Sequence, residues 1–233
     1  MQEISDLNSL LVSHIKNLYA AEQQIKQAIP AIIESVQHSS LKNALTHHSN
    51  LTDDQLLRLE KMLTILQKKT AGMKDEDFLL NKEYVSKGMA GLIEEANEML
   101  SYQLSSEVID AAVIASVQKL EHYEICCYGS ALAFAVQLKL HDVELLLKET
   151  LEEEYDADDL LTALATSALN KEAAHGENIS SVTTAEEKGE GRTEATNLEH
   201  KARVSISERT INSPGGRSGT SHRGYGSGES RGH

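Results

Sequence analysis

Two acidic residues late in the helical part of the sequence occupy positions that an amphipathic helix would bury. Between residues 141 and 166, apolar side chains recur at helical spacing, and Glu154 and Asp158 interrupt this stripe. A buried carboxylate costs free energy unless it is paired, hydrogen-bonded or bound to a metal ion. Because residues four apart share a helix face, both carboxylates can reach one metal ion or bridge a pair of ions.

Three earlier stretches with the same periodicity also place polar side chains on their buried stripes. Glu22 lies in the stretch 5–37, His48 and Gln55 lie in 41–69, and Glu121 lies in 105–140. Turns near residues 39 and 141 would bring these positions to one height, because the helices of a hairpin rise equally per residue. The sequence therefore predicts one polar layer in the middle of a four-helix bundle.

A layer of buried acids with an imidazole is the ligand set of a two-metal site. Carboxylate oxygens and imidazole nitrogens on rigid, inward-facing helices suit iron or manganese. Glu124, close to Glu121, is a further ligand candidate, whereas His122 is expected to pack or to support a ligand from outside the site. Glu152 and Glu153 are expected on a solvated acidic face. The predicted metal ligands are Glu22, His48, Glu121, Glu124, Glu154 and Asp158.

A metal-free interpretation of the same layer stays open. Glu22 and Glu121 would then accept hydrogen bonds within a satisfied polar layer. The donors for that arrangement would be Gln55, Gln118, Tyr19 or Tyr128. The two interpretations differ in what neutralises the carboxylates.

Composition and periodicity indicate an all-α protein. Aromatic residues make up 4% of the chain and apolar residues 40%, with only two prolines, which suits helices packed through aliphatic side chains. Long helices are predicted over 5–37, 41–69, 105–140 and 141–166, and a shorter one over 82–100. Ser40 can cap the second helix, and Pro30 predicts a kink or break in the first. The segment 70–103 is long for a loop, so we expect a four-helix bundle with a long crossover that carries a short extra helix.

The chain divides into a bundle, residues 1–170, and a tail, residues 171–233. The tail is rich in Gly, Ser, Thr and charges of both signs, so disorder is predicted for it. The net charge of −14 belongs to residues 1–170, because the tail holds equal numbers of acidic and basic residues. Such a body attracts metal cations and repels the phosphate backbone, so nucleic-acid binding is not expected. The tail histidines, His200, His222 and His233, are too scattered to form a metal site.

No targeting or membrane segment is recognised. The N-terminus lacks the basic start and continuous apolar run of a signal peptide, and no apolar segment approaches the ~20 residues of a membrane span. A soluble, cytoplasmic protein without a membrane partner is therefore expected. Cys126 and Cys127 are neighbours in a helical stretch, where a disulfide would be strained, so both are expected as free thiols.

Four sequence strings carry a resemblance to a known family. NLYAAEQQI (17–25), GLIEEANEML (91–100), VQKLEHYEICCYG (117–129) and LLKETLEEEYDADDLLTALA (146–165) closely resemble the YciF-like stress-protein family of the ferritin-like superfamily. The resemblance runs in order over about residues 3–170 and excludes the tail. It implies a ferritin-like bundle, usually a homodimer, made by bacteria under stress, with a di-iron or di-manganese centre. The matching candidates are Glu22, Glu121, Glu124, Glu154 and Asp158.

The second helix departs from the pattern of that family. Where the family tends to have H-x-x-E-T, this chain has His48 and Thr52 but Leu51 in place of the acid, preceded by Asn50. The departure leaves two functions open. One is an iron or manganese protein that acts on dioxygen or peroxide. The other is a non-enzymatic dimeric bundle that has lost metal chemistry.

Overall fold

The computed structural model describes residues 4–70, 73–80 and 83–175, and within these ranges it is all-helical. The α-helices are α1 (Leu7–Ser35), α2 (Ser39–Lys69), α3 (Lys87–Ser101), α4 (Ser106–Gln137), α5 (His141–Leu164) and α6 (Asn170–His175). A 3-10 turn over Asp75–Phe78 follows α2, and a π-turn over Ala165–Leu169 joins α5 to α6. Most of the predicted tail, from residue 176 on, lies outside the described residues.

The four long helices form a closed ring in which α1 packs on α2, α2 on α5, α5 on α4 and α4 on α1. The carboxylate of Asp110, in the second turn of α4, accepts hydrogen bonds from the backbone N–H groups of Gln37 (2.8 Å) and His38 (2.9 Å). These two residues form the turn between α1 and α2, so α4 begins at the end of the bundle where α1 ends. The segment between α2 and α4 therefore crosses the length of the bundle. This confirms the predicted four-helix bundle with a long crossover.

The short helix of the crossover, α3, is fixed against α1 and α4 by one tyrosine. The Tyr123 hydroxyl accepts a hydrogen bond from Asn17 Nδ2 (3.0 Å) and lies 2.9 Å from Ser86 Oγ, at the start of α3. The backbone N–H of Ser86 donates to Gln24 Oε1 (2.8 Å). A Cβ at Gly88 would lie 2.6 Å from the Tyr123 ring, so a side chain there would push α3 away from α4.

Apolar side chains fill both ends of the bundle and leave a polar layer between them. The first apolar cluster, near the α1–α2 turn, contains Ile32, Val36, Leu41, Leu45, Val113, Ile114, Val117 and Leu161. The second apolar cluster, near the start of α1, contains Leu11, Ile15, Leu18, Leu59, Met62, Leu66, Ala131, Val143 and Leu147. The buried polar side chains at intermediate height are Glu22, His48, Thr52, Gln55, Glu121, Glu124 and Glu154. The polar layer that the sequence predicts is present at mid-height.

Three local details differ from the sequence-based expectations. α1 continues through Pro30 without a break, so of the two expected outcomes, a kink or a break, the break is wrong; Pro30 lies on the exposed side, where water can bond to the backbone carbonyl that the proline leaves unpaired. Ser40 lies inside α2 and does not cap it, since His38 is the N-cap residue and the distant carboxylate of Asp110 binds the nearby N–H groups. The last long helix ends at Leu164, and helical structure then continues beyond residue 170, to His175.

Candidate metal centre

Four side chains from three helices meet at mid-height. His48 comes from α2, Glu121 and Glu124 come from adjacent turns of α4, and Glu154 comes from α5. Each offers one ligand atom, and these four atoms all lie within 4.8 Å of one another. All four residues are buried, with at most 5% of their surface exposed. The structure thus brings four of the six predicted ligands into one group.

Glu22 extends this group to α1. It is fully buried, and its negative charge contributes to the raised pKa of Glu124. The Tyr128 hydroxyl donates a hydrogen bond of 2.5 Å to Glu22 Oε1. All four long helices therefore contribute a polar side chain to the layer, as the sequence predicts.

Several oxygens of these carboxyl groups have no protein donor. Glu124 receives no hydrogen bond at either oxygen from the described residues. One carboxyl oxygen also lacks a hydrogen bond from these residues in each of Glu22, Glu121 and Glu154. Neighbouring carboxylates in this layer repel one another, so the layer needs protons or cations to neutralise it. Protein donors alone do not satisfy this layer. A metal ion, with oxygen and imidazole ligands, fits what is missing.

Burial raises the pKa of these acids to neutral pH or above it when no metal is bound. Desolvation raises the pKa of Glu22 to about 7 and that of Glu121 to about 8. Desolvation, joined by repulsion between neighbouring carboxylates, raises the pKa of Glu124 and Glu154 well above the usual range. Desolvation also lowers the pKa of His48 to about 4, so its imidazole is neutral. A neutral imidazole is the form that binds metals.

Asp158, the sixth predicted ligand, lies outside the group of four. Its side chain is 14% exposed and Oδ1 accepts a hydrogen bond from Gln118 Nε2 (2.9 Å). The same oxygen lies 3.4 Å from Nε2 of His122, which is exposed. The negative charge of Asp158 still contributes to the raised pKa of Glu121. Its role as a ligand stays a prediction.

α2 faces the centre without a carboxylate. Asn50 is exposed and Leu51 is half-buried. The buried side chains of this stretch are His48, Thr52 and Gln55. Nε2 of Gln55 donates hydrogen bonds to Glu154 Oε1 (2.7 Å) and Glu153 Oε2 (3.1 Å).

Glu153 is held at the edge of the centre, so its expected place on a solvated face is wrong. Arg58 forms a two-point ion pair with it, from Nη1 to Oε2 (2.8 Å) and from Nη2 to Oε1 (2.5 Å). Arg58 Nη1 also donates to Thr150 Oγ1 (2.6 Å), and its side chain is 11% exposed. Sequence reasoning missed Arg58. The available signal was its position three residues after Gln55, on nearly the same face of α2.

The donors proposed for a metal-free polar layer divide into two groups. Tyr128 donates a hydrogen bond to Glu22 and Gln55 donates one to Glu154, so both stabilise carboxyl groups of the polar layer. Gln118 instead donates to Asp158, and the Tyr19 hydroxyl donates to the exposed Glu60 (2.9 Å). None of these four donors reaches Glu121. Its Oε1 lies 3.5 Å from Nε2 of the neutral His48, a long contact.

Comparison with known proteins places the chain in a family. The family described as "Domain of unknown function (DUF892)" matches residues 6–174. Protein YciF of Escherichia coli (strain K12) is 35% identical over 167 residues, which cover 72% of this chain and 95% of that protein. The chain belongs to this YciF-like stress-protein family.

Two solved structures that are similar to this chain have the same fold. The crystal structure of the E. coli stress protein YciF matches with a TM-score of 0.64 at 33% identity, and covers 72% of this chain and 100% of that chain. YcfI from Rhodopseudomonas palustris, described as a proposed structural protein, matches with a TM-score of 0.61 at 33% identity, over 69% of this chain and 96% of that chain. The family assignment and the ferritin-like bundle predicted from the sequence are confirmed. Among the described residues, no helix is long and apolar enough to cross a membrane.

Proposed function

We propose that this chain is a bacterial stress-response protein whose mid-bundle side chains bind two iron or manganese ions and act on dioxygen or peroxide. The observation that carries the proposal is a buried group of acids whose oxygens lack donors among the described residues. Removing such carboxylates from water costs free energy, and hydrogen bonds from the described residues do not offset this cost. A bound cation would offset the desolvation cost.

Charge supports two divalent ions over one. Glu22, Glu121, Glu124 and Glu154 carry four negative charges when ionised, which two divalent cations balance. One divalent cation would leave two carboxyl groups to be neutralised by protons, as their raised pKa values allow. Binding therefore releases protons, and its affinity rises with pH.

The side chains of this chain have distinct tasks in the proposed reaction. The carboxylates and His48 would hold the ions, and a bound pair of iron or manganese ions would supply electron transfer to or from dioxygen or peroxide. The buried Tyr128 hydroxyl has a pKa raised well above its usual range, mainly by desolvation, so it stays protonated and holds Glu22 in place by its hydrogen bond. The apolar clusters on either side keep bulk water from the centre.

A second candidate function is a non-enzymatic bundle that acts as a dimer. The observation in its favour is that α2 brings no carboxylate to the centre, because Leu51 occupies the position where the resemblance expects one. With raised pKa values, the remaining acids can stay neutral through their own protons. In that case the protein works through its surface and its assembly.

Metal analysis of untagged protein separates the two functions. Full-length protein is purified without a histidine tag, reconstituted anaerobically with Fe²⁺ or Mn²⁺, dialysed and analysed for bound metal. We expect one to two ions per chain, with consumption of peroxide or oxidation of Fe²⁺ above the rate of the metal in buffer. Metal well below one ion per chain, together with no activity, sinks the enzyme proposal. Sedimentation of both forms then tests the proposed homodimer.

A further inference from the structure

α2 presents an amide to the metal centre where the other three long helices present carboxylates. Gln55 is fully buried, and its Nε2 lies 2.7 Å from Glu154 Oε1. Its amide oxygen, Oε1, is buried and accepts no hydrogen bond from the described residues. A buried carbonyl-type oxygen without a partner destabilises the fold, because its hydrogen bonds to water are not replaced. A purely structural glutamine would leave that cost uncompensated.

The orientation of this amide is fixed by its neighbours. Nε2 has two hydrogens, and the carboxyl oxygens of Glu154 and Glu153 accept them. The flipped amide would place its oxygen against the same two carboxyl oxygens, which is repulsive while they are acceptors. With the nitrogen committed to Glu153 and Glu154, the oxygen is the atom of this amide that is left for a cation beside Glu154.

Glu153 is itself held in place from α2. The two-point ion pair with Arg58 fixes both of its oxygens, and the Arg58–Thr150 hydrogen bond fixes the guanidinium. Such a fork-like pair carries directional information that a single contact lacks. Arg58 and Glu153 thus control the amide without being members of the group of four.

We propose that Oε1 of Gln55 is the oxygen ligand that α2 gives to the metal centre, and that Glu153 and Arg58 are positioning residues that turn it toward the ions. This inference rests on the proposed function. A neutral amide oxygen is a hard donor of the kind that manganese and iron accept. It offsets part of the loss of the acid at position 51 without adding a further charge to an already acidic layer.

The test compares Mn²⁺ affinity of the metal-free, full-length protein and its variants, measured by equilibrium dialysis with the paramagnetic resonance signal of free Mn²⁺. Gln55→Leu should weaken binding roughly 10- to 100-fold, the range for groups that support a metal site. Gln55→Glu keeps an oxygen ligand and should bind at least as tightly as the wild type. Glu153→Gln should weaken binding less than Gln55→Leu, because the ligand remains but its orientation is no longer fixed.

The controls separate this inference from the proposed function. Gln118→Leu removes a comparable amide, outside the group of four, and should leave Mn²⁺ affinity within twofold. Thermal unfolding of each metal-free variant shows whether it is folded. If the wild type binds Mn²⁺ but Gln55→Leu and Gln55→Glu weaken it equally, only the N–H donor matters and the ligand assignment is wrong. If the wild type binds no Mn²⁺, the proposed function fails, and this inference with it.

Discussion

At either end of the bundle, the long helices meet through aliphatic side chains such as Leu11 and Leu45, which need only close contact to be stable. At mid-height the same helices meet through acids such as Glu22 and Glu124, whose oxygens lack donors among the described residues. Burial stabilises the ends and destabilises the middle. We expect leucine in the middle to give a more stable metal-free protein, and the proposed metal binding would explain why acids occupy this layer instead. Substitutions in the two regions should therefore have opposite effects on stability and metal binding.

The largest effect is expected from removing an acid at the middle. Glu124→Leu should lower Mn²⁺ affinity by roughly 100-fold or more, since even supporting residues of metal sites give 10- to 100-fold losses. The metal-free protein should become more stable by about 1–4 kcal/mol, because a poorly partnered buried acid gives way to an apolar side chain. Dialysis and urea unfolding measure the two quantities. Glu152→Leu, at an exposed position of α5, is the control and should leave metal affinity unchanged.

Truncation at an apolar end should have the opposite pattern. Leu11→Ala removes a fully buried side chain from the second apolar cluster and should cost about 2–5 kcal/mol in free energy of unfolding. Mn²⁺ affinity, measured at a temperature where the variant is folded, should change less than twofold. A large loss of affinity in this variant would show that the two regions are not independent.

Metal-free protein should lose stability as the pH rises from about 4.5 to about 8. The acids of the centre have pKa values raised in the folded state, to about 7 for Glu22 and about 8 for Glu121, so the folded protein holds protons that the unfolded chain has released. Their contribution is present at low pH and is lost as the pH passes the folded pKa values. His48, with its pKa lowered to about 4, acts in the other direction below pH 6.5.

Urea unfolding at several pH values measures this dependence, which should be on the order of 2–3 kcal/mol across the interval. The Glu124→Leu variant should show a weaker slope, because one of the raised groups is gone. Saturating Mn²⁺ should reverse the slope, since the metal replaces the protons. A metal-free slope that is the same in wild type and variant would place its origin outside the centre.

The height of the site along the bundle axis could be predicted from the sequence, because the buried positions of a helix recur with a fixed period along the chain. Equal rise per residue aligned Glu22 with Gln55 and Glu121 with the middle of α5. Cross-helix contacts agree with this register, such as Lys26 with Asp53 and Gln118 with Thr162. Depth along a helix and the inner face of a helix are both local properties of a sequence.

Lateral position within the layer could not be predicted in the same way. Glu153 and Asp158 lie at the edges of the buried stripe, where the neighbouring helix decides which way a side chain turns. Arg58 draws Glu153 toward α2, and Gln118 holds Asp158 beside α4. The capping role of Asp110 has the same origin, because its partners are more than 70 residues away in the chain. Such contacts depend on which helices are adjacent.

Restoring an acid to α2 should make the centre symmetrical. Leu51→Glu places a carboxylate at the position where the resemblance expects one, and should raise Mn²⁺ affinity about tenfold, or about 1.4 kcal/mol, or add a second bound ion. Asn50→Asp adds the same charge at the neighbouring, exposed position and is the control. Equal gains in the two variants would mean that general attraction of cations is responsible. No gain in either would mean that Gln55 already supplies what α2 needs to give.

The smallest effect is expected from removing one hydroxyl group. Tyr128→Phe deletes the hydrogen bond to Glu22 but retains the buried ring, so the metal-bound protein should lose about 1 kcal/mol of stability. Without that donor the pKa of Glu22 rises further, and metal binding should need a higher pH. Tyr19→Phe deletes a hydrogen bond of 2.9 Å to Glu60 on the bundle surface and serves as the matched control. A shift in the pH dependence of Mn²⁺ binding for Tyr128→Phe but not for Tyr19→Phe would show that the Tyr128 hydroxyl acts on the metal centre. A packing defect alone would change the stability and leave the pH dependence of binding unchanged.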